Sequence, residues 1–371
     1  MEKSLKRDSS IELLKIIAIF CIILSHTEQT LDAVMGGLPD ATWNIQVLIL
    51  KVLRTGGVFG NLTFWVISSW FLLERDKTDF HKIIHIIIEI WMISMITLAI
   101  TYPFFSISLE LSYFFPISFQ NNWYLTCYLM VYAIHGWLNR IIEGMTKKTL
   151  FRCVLFMIII YYGVCYFFDD LYYSNDFIQF IVIYFIVAHV KRNMNEEFNS
   201  KIFDCKMAII GLAGDFVIFF TKNFLAMKLG YNNYFVDKLQ FSGYHNVFTL
   251  LLVLGIFGLF RTICFSSKVI NCIASFSMYI YLIHENIVIR KYVRPLIWKD
   301  VLDCLGENII VVEVIVLSVA IFACSLVIGI VYRLVFGKVV NTMEGLIFCA
   351  INRSIKWMEK YFLLEKDKNV R

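Results

Sequence analysis

A lysine and a histidine stand eleven residues apart within the apolar stretch "SSIELLKIIAIFCIILSHT", residues 9–27. Eleven helical steps of about 100° return close to the starting direction, so Lys15 and His26 share one face of a predicted helix, roughly 16 Å apart along its axis. Glu12 lies on the same stripe and forms an S-x-x-E capping box with Ser9. Because imidazole accepts a proton near neutral pH, His26 is a candidate general base. The structural alternative is a histidine hydrogen-bonded to a neighbouring helix.

A second histidine closes the apolar segment "SFSMYIYLIHEN". Ser277, Tyr281 and His284 recur at i, i+4 and i+7 and therefore fall on one helical face. If this segment runs outward, His284 lies about as high in the membrane as His26, and the two imidazoles could share a cavity. The alternative is a residue of the outer interface.

Aromatic residues gather where the loop "FFPISFQNN" leads into the next apolar segment. Trp123, Tyr124 and Tyr128 are typical of an aromatic belt at a membrane interface. They are equally suited to stack on a sugar ring at a mouth that faces outward. We regard these three residues, with Tyr281, as candidate substrate-binding residues.

Cationic and hydroxyl side chains gather at the predicted cytoplasmic side, within and after "GGVFGNLTFWVISSWFLLERDK". Ser68 comes just before this side, Arg75 follows it, and Lys15 lies at the same level. Such a patch offers phosphate partners to an anionic cofactor such as coenzyme A. Lipid headgroups would find the same partners. Lys15, Ser68 and Arg75 are therefore candidate cofactor-binding residues.

Further polar groups lie within apolar segments. "HKIIHIIIE" places His81, His85 and Glu89 on one helical face, a spacing that resembles metal-ligand geometry. Because no further Cys or His converges on them in the sequence, we expect no metal site. Asp215 and Glu313 are single acids in apolar segments, and the sequence assigns them no role.

The composition requires elements that place these residues in a membrane. Hydrophobic residues make up 59% of the 371, only 17% are charged, and the mean hydropathy is +0.70, which indicates an integral membrane protein. Lys and Arg cluster in alternate connections, so the positive-inside rule predicts that both termini are cytoplasmic. The net charge of +5 mostly reflects this bias and gives no reason to expect a nucleic-acid partner.

The predicted fold is all-α, a polytopic bundle of about ten transmembrane helices. The apolar segments lie near 10–30, 56–73, 83–105, 121–138, 150–168, 175–190, 206–223, 243–261, 269–290 and 308–333. Residues 1–335 form the predicted transmembrane domain. Residues 336–371 form a basic amphipathic tail that we expect along the inner interface, in contact with membrane lipids.

Four of these segments together resemble the membrane-bound acyltransferase-3 family, whose multi-pass members O-acylate bacterial surface glycans. "IELLKIIAIFCIILSH" resembles the first-helix signature, in which arginine precedes histidine by eleven positions. "FWVISSWFLL" resembles the F-x-x-S-G-[YF]-x-L element, and "NNWYLTCYLMVYAIHGWLN" resembles the W-[FY]-[IL]-T-x-Y segment with its following L-N. "SFSMYIYLIHEN" resembles the late S-x-Y-L-x-H element. The four occur in the family's order over nearly the whole chain.

The resemblance implies transfer of an acyl group, usually acetyl, from cytoplasmic acyl-CoA to a hydroxyl of an exported or cell-surface polysaccharide such as a capsule or exopolysaccharide. It implies that His26 is the catalytic base, that His284 is the late catalytic histidine, and that Ser68 is the motif serine. Acetyl-CoA would be the acyl donor. No metal is expected, because a thioester is already activated. The implied location is the plasma membrane of a bacterial cell.

Two of these motifs depart from the family pattern, the first at Lys15 and the second at Ser69 and Trp70. Lys15 stands where the family usually has arginine, which keeps the charge but loses the bidentate fork. Ser69 stands where the motif has glycine, and Trp70 stands where it has Tyr or Phe. Without the glycine, close approach of another backbone is in doubt there.

Two other functions use similar residues. A proton-coupled transporter or flippase for a glycolipid or a small metabolite also keeps intramembrane His, Glu and Asp, but usually shows repeated halves with broken helices, which we do not find in the sequence. A membrane glycan polymerase more often has a long outer loop rich in Arg and His, whereas the outer loops here are short.

Overall fold

The computed structural model describes most of the chain as helices and connecting turns. The described residues are 8–39, 41–119, 121–167, 175–193, 200–230, 233, 236, 239, 243–305 and 309–362. No β-strand occurs among them. The helices are, in chain order, α1 (Ser9–Val34), α2 (Ile45–Arg54), α3 (Gly56–Leu72), α4 (Phe80–Thr101), α5 (Leu111–Phe114), α6 (Trp123–Gly144), α7 (Lys147–Ile158), α8 (Cys165–Phe167), α9 (Asp176–Asn193), α10 (Lys201–Leu229), α11 (Val247–Arg261), α12 (Lys268–Ala274), α13 (Ser277–His284), α14 (Arg294–Leu305) and α15 (Ile310–Phe362). Two π-helical segments, Ile159–Val164 and Ile289–Val293, join α7 to α8 and lead into α14.

Helix α1 is the centre of the bundle. It packs against α2, α3, α11, α12, α13, α14 and α15. Its closest neighbour is α3, because the glycines at the start of α3 admit the α1 backbone. A Cβ placed on Gly60 would lie 2.4 Å from the carbonyl oxygen of Ala18, and one on Gly57 would lie 2.7 Å from Oγ of Ser25. The two helices therefore run antiparallel in tight contact.

The predicted capping box at the start of α1 is wrong. The N-cap is Asp8, whose carboxylate accepts from the backbone N–H of Ser10 at 3.0 Å. The hydroxyl of Ser9 is occupied elsewhere, donating to Oδ1 of Asn271 at 2.8 Å. Glu12 instead pairs with Lys15, with Oε1 and Nζ 3.1 Å apart. Contacts with α12 have thus outweighed the local capping signal.

Several helices are suited to cross a membrane, and the protein is a membrane helical bundle. Within the described ranges, four helical stretches are long and apolar enough by length and composition: Ser9–Val34, Ile45–Leu72, Phe80–Thr101 and Ile310–Tyr361. A fifth arises if the bent pair Lys268–His284 and Ile289–Cys304 counts as one broken span. The count of about ten spans stays a prediction. We call the end that carries residues 74–79 inner and the opposite end outer, following the predicted orientation.

The predicted segment 269–290 is not one continuous helix. It divides into α12 and α13, and the chain then bends by 62° between His284 and Ile289. Asn286 stabilises the restart, because its side-chain oxygen accepts from the backbone N–H of Val288 at 3.0 Å. This bend places the residues that follow His284 beside α1.

Helix α15 runs without a break through the predicted domain boundary at residue 335. Its 53 residues correspond to about 80 Å, whereas the hydrocarbon core of a bilayer is about 30 Å thick. The last nine residues of the predicted tail lie outside the described residues.

Candidate active site

Two cavities adjoin at Asn61 and Tyr281, which line both of them. The inner cavity has a volume of about 350 Å³ and the outer cavity about 370 Å³. The cationic side chains of Lys15 and Lys82 and the hydroxyl of Ser68 are among the polar groups that line the inner cavity. His26 and Glu285 line the outer cavity. Four further polar side chains of α1, of α14 and of the π-helical turn before it line it as well: Gln29, Thr30, Arg290 and Arg294.

The two histidines predicted to lie at matching depth meet beside the outer cavity. Nδ1 of His26 lies 3.2 Å from Nε2 of His284, and the rings stack with their centroids 5.4 Å apart. His26 is partly exposed to the cavity, whereas His284 is buried. The fold therefore brings together the two histidines that helical spacing indicated on α1 and α13.

Hydrogen bonds determine which imidazole nitrogens carry protons. Nδ1 of His284 lies 2.7 Å from the carbonyl oxygen of Ile280, so this nitrogen donates and Nε2 is left as an acceptor. Nδ1 of His26 contacts that acceptor and also the carboxylate of Glu285, so it carries a proton. In the neutral form of His26, Nε2 is then the unprotonated nitrogen. A histidine in this state beside a cavity can act as a general base.

Glu285 and Arg294 hold the histidines in place. Oε2 of Glu285 contacts Nδ1 of His26, and Oε1 lies 3.6 Å from Nη2 of Arg294 and 3.4 Å from Nη1 of Arg290. Arg294 also donates to the backbone carbonyl of His284 at 2.6 Å and to that of His26 at 3.3 Å. One buried guanidinium thus fixes the backbone of both histidines and balances the charge of the carboxylate.

No sequence pattern assigned a role to Glu285 or Arg294. Glu285 directly follows His284, and Arg290 and Arg294 are one helical turn apart, but their convergence depends on the bend after α13. Adjacency to a candidate histidine was the one signal that could have identified Glu285.

The inner cavity contains two of the three residues predicted to bind the cofactor. Lys15 and Ser68 line it, whereas Arg75 is exposed and lines neither cavity. Lys82, which the sequence analysis did not single out, lies in its place, with Nζ donating to the hydroxyl of Tyr128 at 3.0 Å. The cationic character expected at the inner side is therefore supplied by α1 and by the first turn of α4.

The aromatic residues predicted to bind substrate divide between the cavities. Trp123 lines the outer cavity, Tyr124 and Tyr128 line the inner cavity, and Tyr281 lines both. The division follows from the direction of α6, which begins at Trp123 and runs inward. The rings of Tyr124 and Tyr281 lie 6.1 Å apart, and that of Tyr281 meets His284 edge to face at 5.9 Å.

An outer ion pair ties the loop before α6 to the π-helical turn that carries Arg290. Nζ of Lys291 lies 3.2 Å from Oε1 of Glu110, and Ser112 donates to the other carboxylate oxygen at 3.0 Å. The hydrogen bond from Lys291, followed by that from Ser112, holds the pKa of the Glu110 carboxyl below its ordinary value.

His81 and His85 share a partner, Glu344, that the sequence did not indicate. His81 and His85 each place Nδ1 2.9 Å from a different oxygen of Glu344, which comes from α15. Nε2 of His85 lies 3.5 Å from Glu89, whose Oε1 accepts from the hydroxyl of Tyr279 at 2.9 Å. These contacts fasten α15 to the start of α4.

Asp215 and Glu313, the two single acids noted in apolar segments, line neither of the two cavities. Asp215 accepts hydrogen bonds from Asn246 at 2.7 Å and from Thr249 at 3.1 Å, which joins α10 to α11. Glu313 is buried near the start of α15. In the described part of the chain, a set of three potential ligand atoms within 4.8 Å of one another occurs at His26, His284 and Glu285. The nearby guanidinium of Arg294 disfavours a cation there, and the expectation of no metal stays a prediction.

Comparison with known proteins agrees with the geometry at the level of the family. A family model described as an acyltransferase domain, acyltransferase-3, matches residues 8–332. No curated protein and no solved structure matches the chain significantly. The match includes α1, α3, α6 and α13, which supply the residues around the two cavities. The chain therefore belongs to the acyltransferase-3 family, and it is a membrane-bound acyltransferase.

Proposed function

We propose that this protein transfers an acetyl group from acetyl-CoA, bound at the inner cavity, to a hydroxyl of an exported or cell-surface polysaccharide at the outer cavity. The observation that carries the proposal is the arrangement of the cavities. One is cationic, the other is lined by a histidine base, and they adjoin at Asn61 and Tyr281.

The inner cavity suits an acyl-CoA donor. Lys15 and Lys82 provide two ammonium groups for phosphates, and Ser68 and Tyr128 provide hydroxyl groups for the polar pantetheine arm. Ile19, Ile22 and Phe64 line the same cavity and give an apolar wall for the rest of that arm. Lysine at position 15 gives a point charge rather than the bidentate grip of the family's usual arginine.

The outer cavity suits a sugar hydroxyl. Trp123 offers a ring for stacking against a pyranose face, and Gln29 and Thr30 offer hydrogen bonds to neighbouring hydroxyls. An acceptor hydroxyl that reaches Nε2 of His26 would find the unprotonated nitrogen there. Glu285 would stabilise the imidazolium that forms when His26 takes the proton.

The reaction balances without any further reagent. The hydroxyl oxygen attacks the thioester carbonyl carbon while His26 accepts the hydroxyl proton. The carbon–sulfur bond then breaks, His26 returns the proton to the sulfur, and free CoA and an O-acetyl ester remain. Transfer through an acyl-histidine would use the same residues, with His26 as the first nucleophile.

The setting that we propose is the plasma membrane of a bacterial cell, with both termini in the cytoplasm. The end of α15 presents Arg353, Lys356 and Lys360 on one side and Ile351 and Ile355 on the other. Such a segment suits the inner membrane surface, where anionic lipids attract basic side chains.

The test is the O-acetyl content of cell-surface polysaccharide, measured by proton NMR before and after mild base. A strain that lacks this protein is compared with the same strain restored by the native chain. Acetyl signals that disappear in the first strain and return in the second support the proposal. Unchanged acetyl content together with reduced polymer amount or export would favour the transporter or the polymerase instead.

A further inference from the structure

Asn61 lies where the two cavities adjoin. It is a buried amide on α3, with 8% of its surface exposed, and it lines both cavities. Of the residues that line either cavity, only Tyr281 shares this position. These two side chains therefore border the region where the two cavities meet.

The packing of α3 on α1 places Asn61 on the inner side of His26. Gly57 abuts Ser25, and Gly60 abuts Ala18 and Ile22. Because the helices are antiparallel, Asn61, directly after Gly60, lies near the level of residues 18–22, about one to two helical turns inward of His26. The amide therefore stands between the donor cavity and the base.

One hydrogen bond orients the Asn61 amide and uses only one of its two N–H groups. Nδ2 of Asn61 donates to the hydroxyl of Tyr244 at 2.7 Å. Tyr244 is held in turn by Gln179, which donates to its backbone carbonyl at 2.9 Å, and its ring packs edge to face on Trp123 with centroids 5.8 Å apart. A side-chain amide carries two N–H groups, so one remains after the bond to Tyr244. If the amide oxygen and nitrogen were exchanged, the oxygen would accept from the Tyr244 hydroxyl and both N–H groups would remain.

We propose that Asn61 is a catalytic residue whose free N–H donates to the thioester carbonyl oxygen. This inference rests on the proposed function. When the acceptor oxygen adds to the carbonyl carbon, the electron pair of the C=O bond moves to oxygen, and the Asn61 N–H stabilises that oxyanion. The pair returns as the carbon–sulfur bond breaks. Asn61 thus acts on the carbonyl oxygen while His26 acts on the hydroxyl proton, and Tyr244 is a positioning residue for the amide.

Two variants distinguish Asn61 from Tyr281 as the oxyanion donor, because the side chain of Tyr281 also lines both cavities. If the tyrosine hydroxyl were the oxyanion donor, Tyr281→Phe would lower kcat and Asn61→Leu would not. If the amide is the donor, the order is reversed. The two variants therefore assign the role to one side chain.

The experiment measures steady-state transfer by the purified full-length protein in lipid nanodiscs, using radiolabelled acetyl-CoA and de-O-acetylated surface polysaccharide. Asn61→Leu is expected to lower kcat by about 100-fold with the KM for acetyl-CoA unchanged, because the donor acts only on the transition state. Tyr244→Phe is expected to cause a smaller fall in kcat, since it removes only the partner that orients the amide. Asn61→Ala serves as the second variant if the leucine variant does not fold.

Thr63→Val is the matched control. Thr63 is buried on the same helix, its hydroxyl donates to the carbonyl of Phe59 at 2.7 Å, and it lines neither cavity. Its kcat should equal that of the native protein. A native kcat in both Asn61 variants, or a raised KM alone, would overturn the inference while leaving the proposed function intact. No acetyl transfer by the native protein would overturn both.

Discussion

Two clusters in this molecule have the same composition, two histidines and a glutamate joined across helices, yet they differ in what they can do. We call His26, His284 and Glu285 the outer histidine cluster, and His81, His85 and Glu344 the inner histidine cluster. In the outer cluster, hydrogen bonds leave Nε2 of His26 unprotonated beside a cavity. In the inner cluster, each histidine binds one oxygen of the same carboxylate, and neither histidine lines either of the two cavities.

Burial separates the clusters further. The side chain of His284 is 1% exposed and that of Glu285 is 7% exposed, whereas that of His81 is 50% exposed. Charges excluded from water interact more strongly, so buried Glu285 acts more strongly on an imidazolium at His26 than partly exposed Glu344 acts on the exposed His81. Residue types alone therefore did not identify the site. The outer cluster is distinguished by its position beside a cavity and by hydrogen bonds that fix the tautomers of its histidines.

The residues covered by the family match also distinguish the outer histidine cluster from the inner one. Residues 8–332 include every member of the outer cluster, whereas Glu344 lies beyond the match. The inner cluster thus joins the family domain to the far part of α15, and we interpret it as a clamp between helices.

The largest expected effect is the loss of the base. His26→Ala should lower acetyl transfer by about 1000-fold or more, because general-base catalysis disappears and the Nε2 nucleophile of the alternative route is lost with it. The O-acetyl content of surface polysaccharide, measured in a deletion strain that carries the variant, checks this. His85→Ala, a matched loss of one imidazole, should restore the acetyl content. Equal behaviour of the two variants would remove the distinction between the clusters.

The next largest effect concerns the carboxylate that orients the base. Glu285→Gln keeps the volume but removes the charge that stabilises imidazolium, so kcat should fall on the order of 100-fold. Protein recovered from the membrane should still elute as a single folded species. Glu344→Gln is the matched substitution in the inner cluster, and a comparable loss of kcat there would contradict our comparison.

A moderate effect is expected at the inner cavity. Lys15→Ala or Lys82→Ala should raise the KM for acetyl-CoA by about tenfold, the value of one lost charge-assisted contact. Lys15→Arg should keep the native KM or lower it, because the guanidinium fork suits a phosphate. Arg75→Ala is the control, since Arg75 lines neither cavity. An unchanged KM in both lysine variants would refute their role in donor binding.

The smallest effect is expected at the inner cluster. Glu344→Gln should change kcat by less than about twofold and lower the free energy of unfolding by at most about 1 kcal/mol, as for other partly exposed ion pairs. Thermal unfolding of the detergent-solubilised variant measures the second quantity. A large loss of stability would show that the clamp contributes more to the fold than its exposure indicates.

Periodicity was enough to place some of the site. The eleven-residue spacing put Lys15 and His26 on one face of α1, and the structure has them lining the inner and outer cavities. The segment that ends in His284 was expected at matching depth, and the 3.2 Å contact with His26 agrees with this. Both inferences needed only helical geometry and the direction of each segment.

Other parts of the site depend on tertiary contacts that no local pattern encodes. Glu285 and Arg294 reach His26 because the chain bends by 62° after α13, and the continuous apolar pattern of 269–290 hides that break. Lys82 follows a charged connection and looks like an ordinary interface lysine, but it turns towards Tyr128. Glu344 lies more than 250 residues from its histidine partners, so their spacing resembled an incomplete metal site.

The central claim is that an acyl group passes from the inner cavity to the outer one at His26, and transfer across a sealed bilayer tests it most directly. Proteoliposomes of known orientation receive radiolabelled acetyl-CoA only on the side that carries residues 74–79 and de-O-acetylated surface polysaccharide only on the opposite side. We predict base-labile label on the polysaccharide with the native protein and none with His26→Ala. Label that appears only when donor and acceptor share one side would contradict the account.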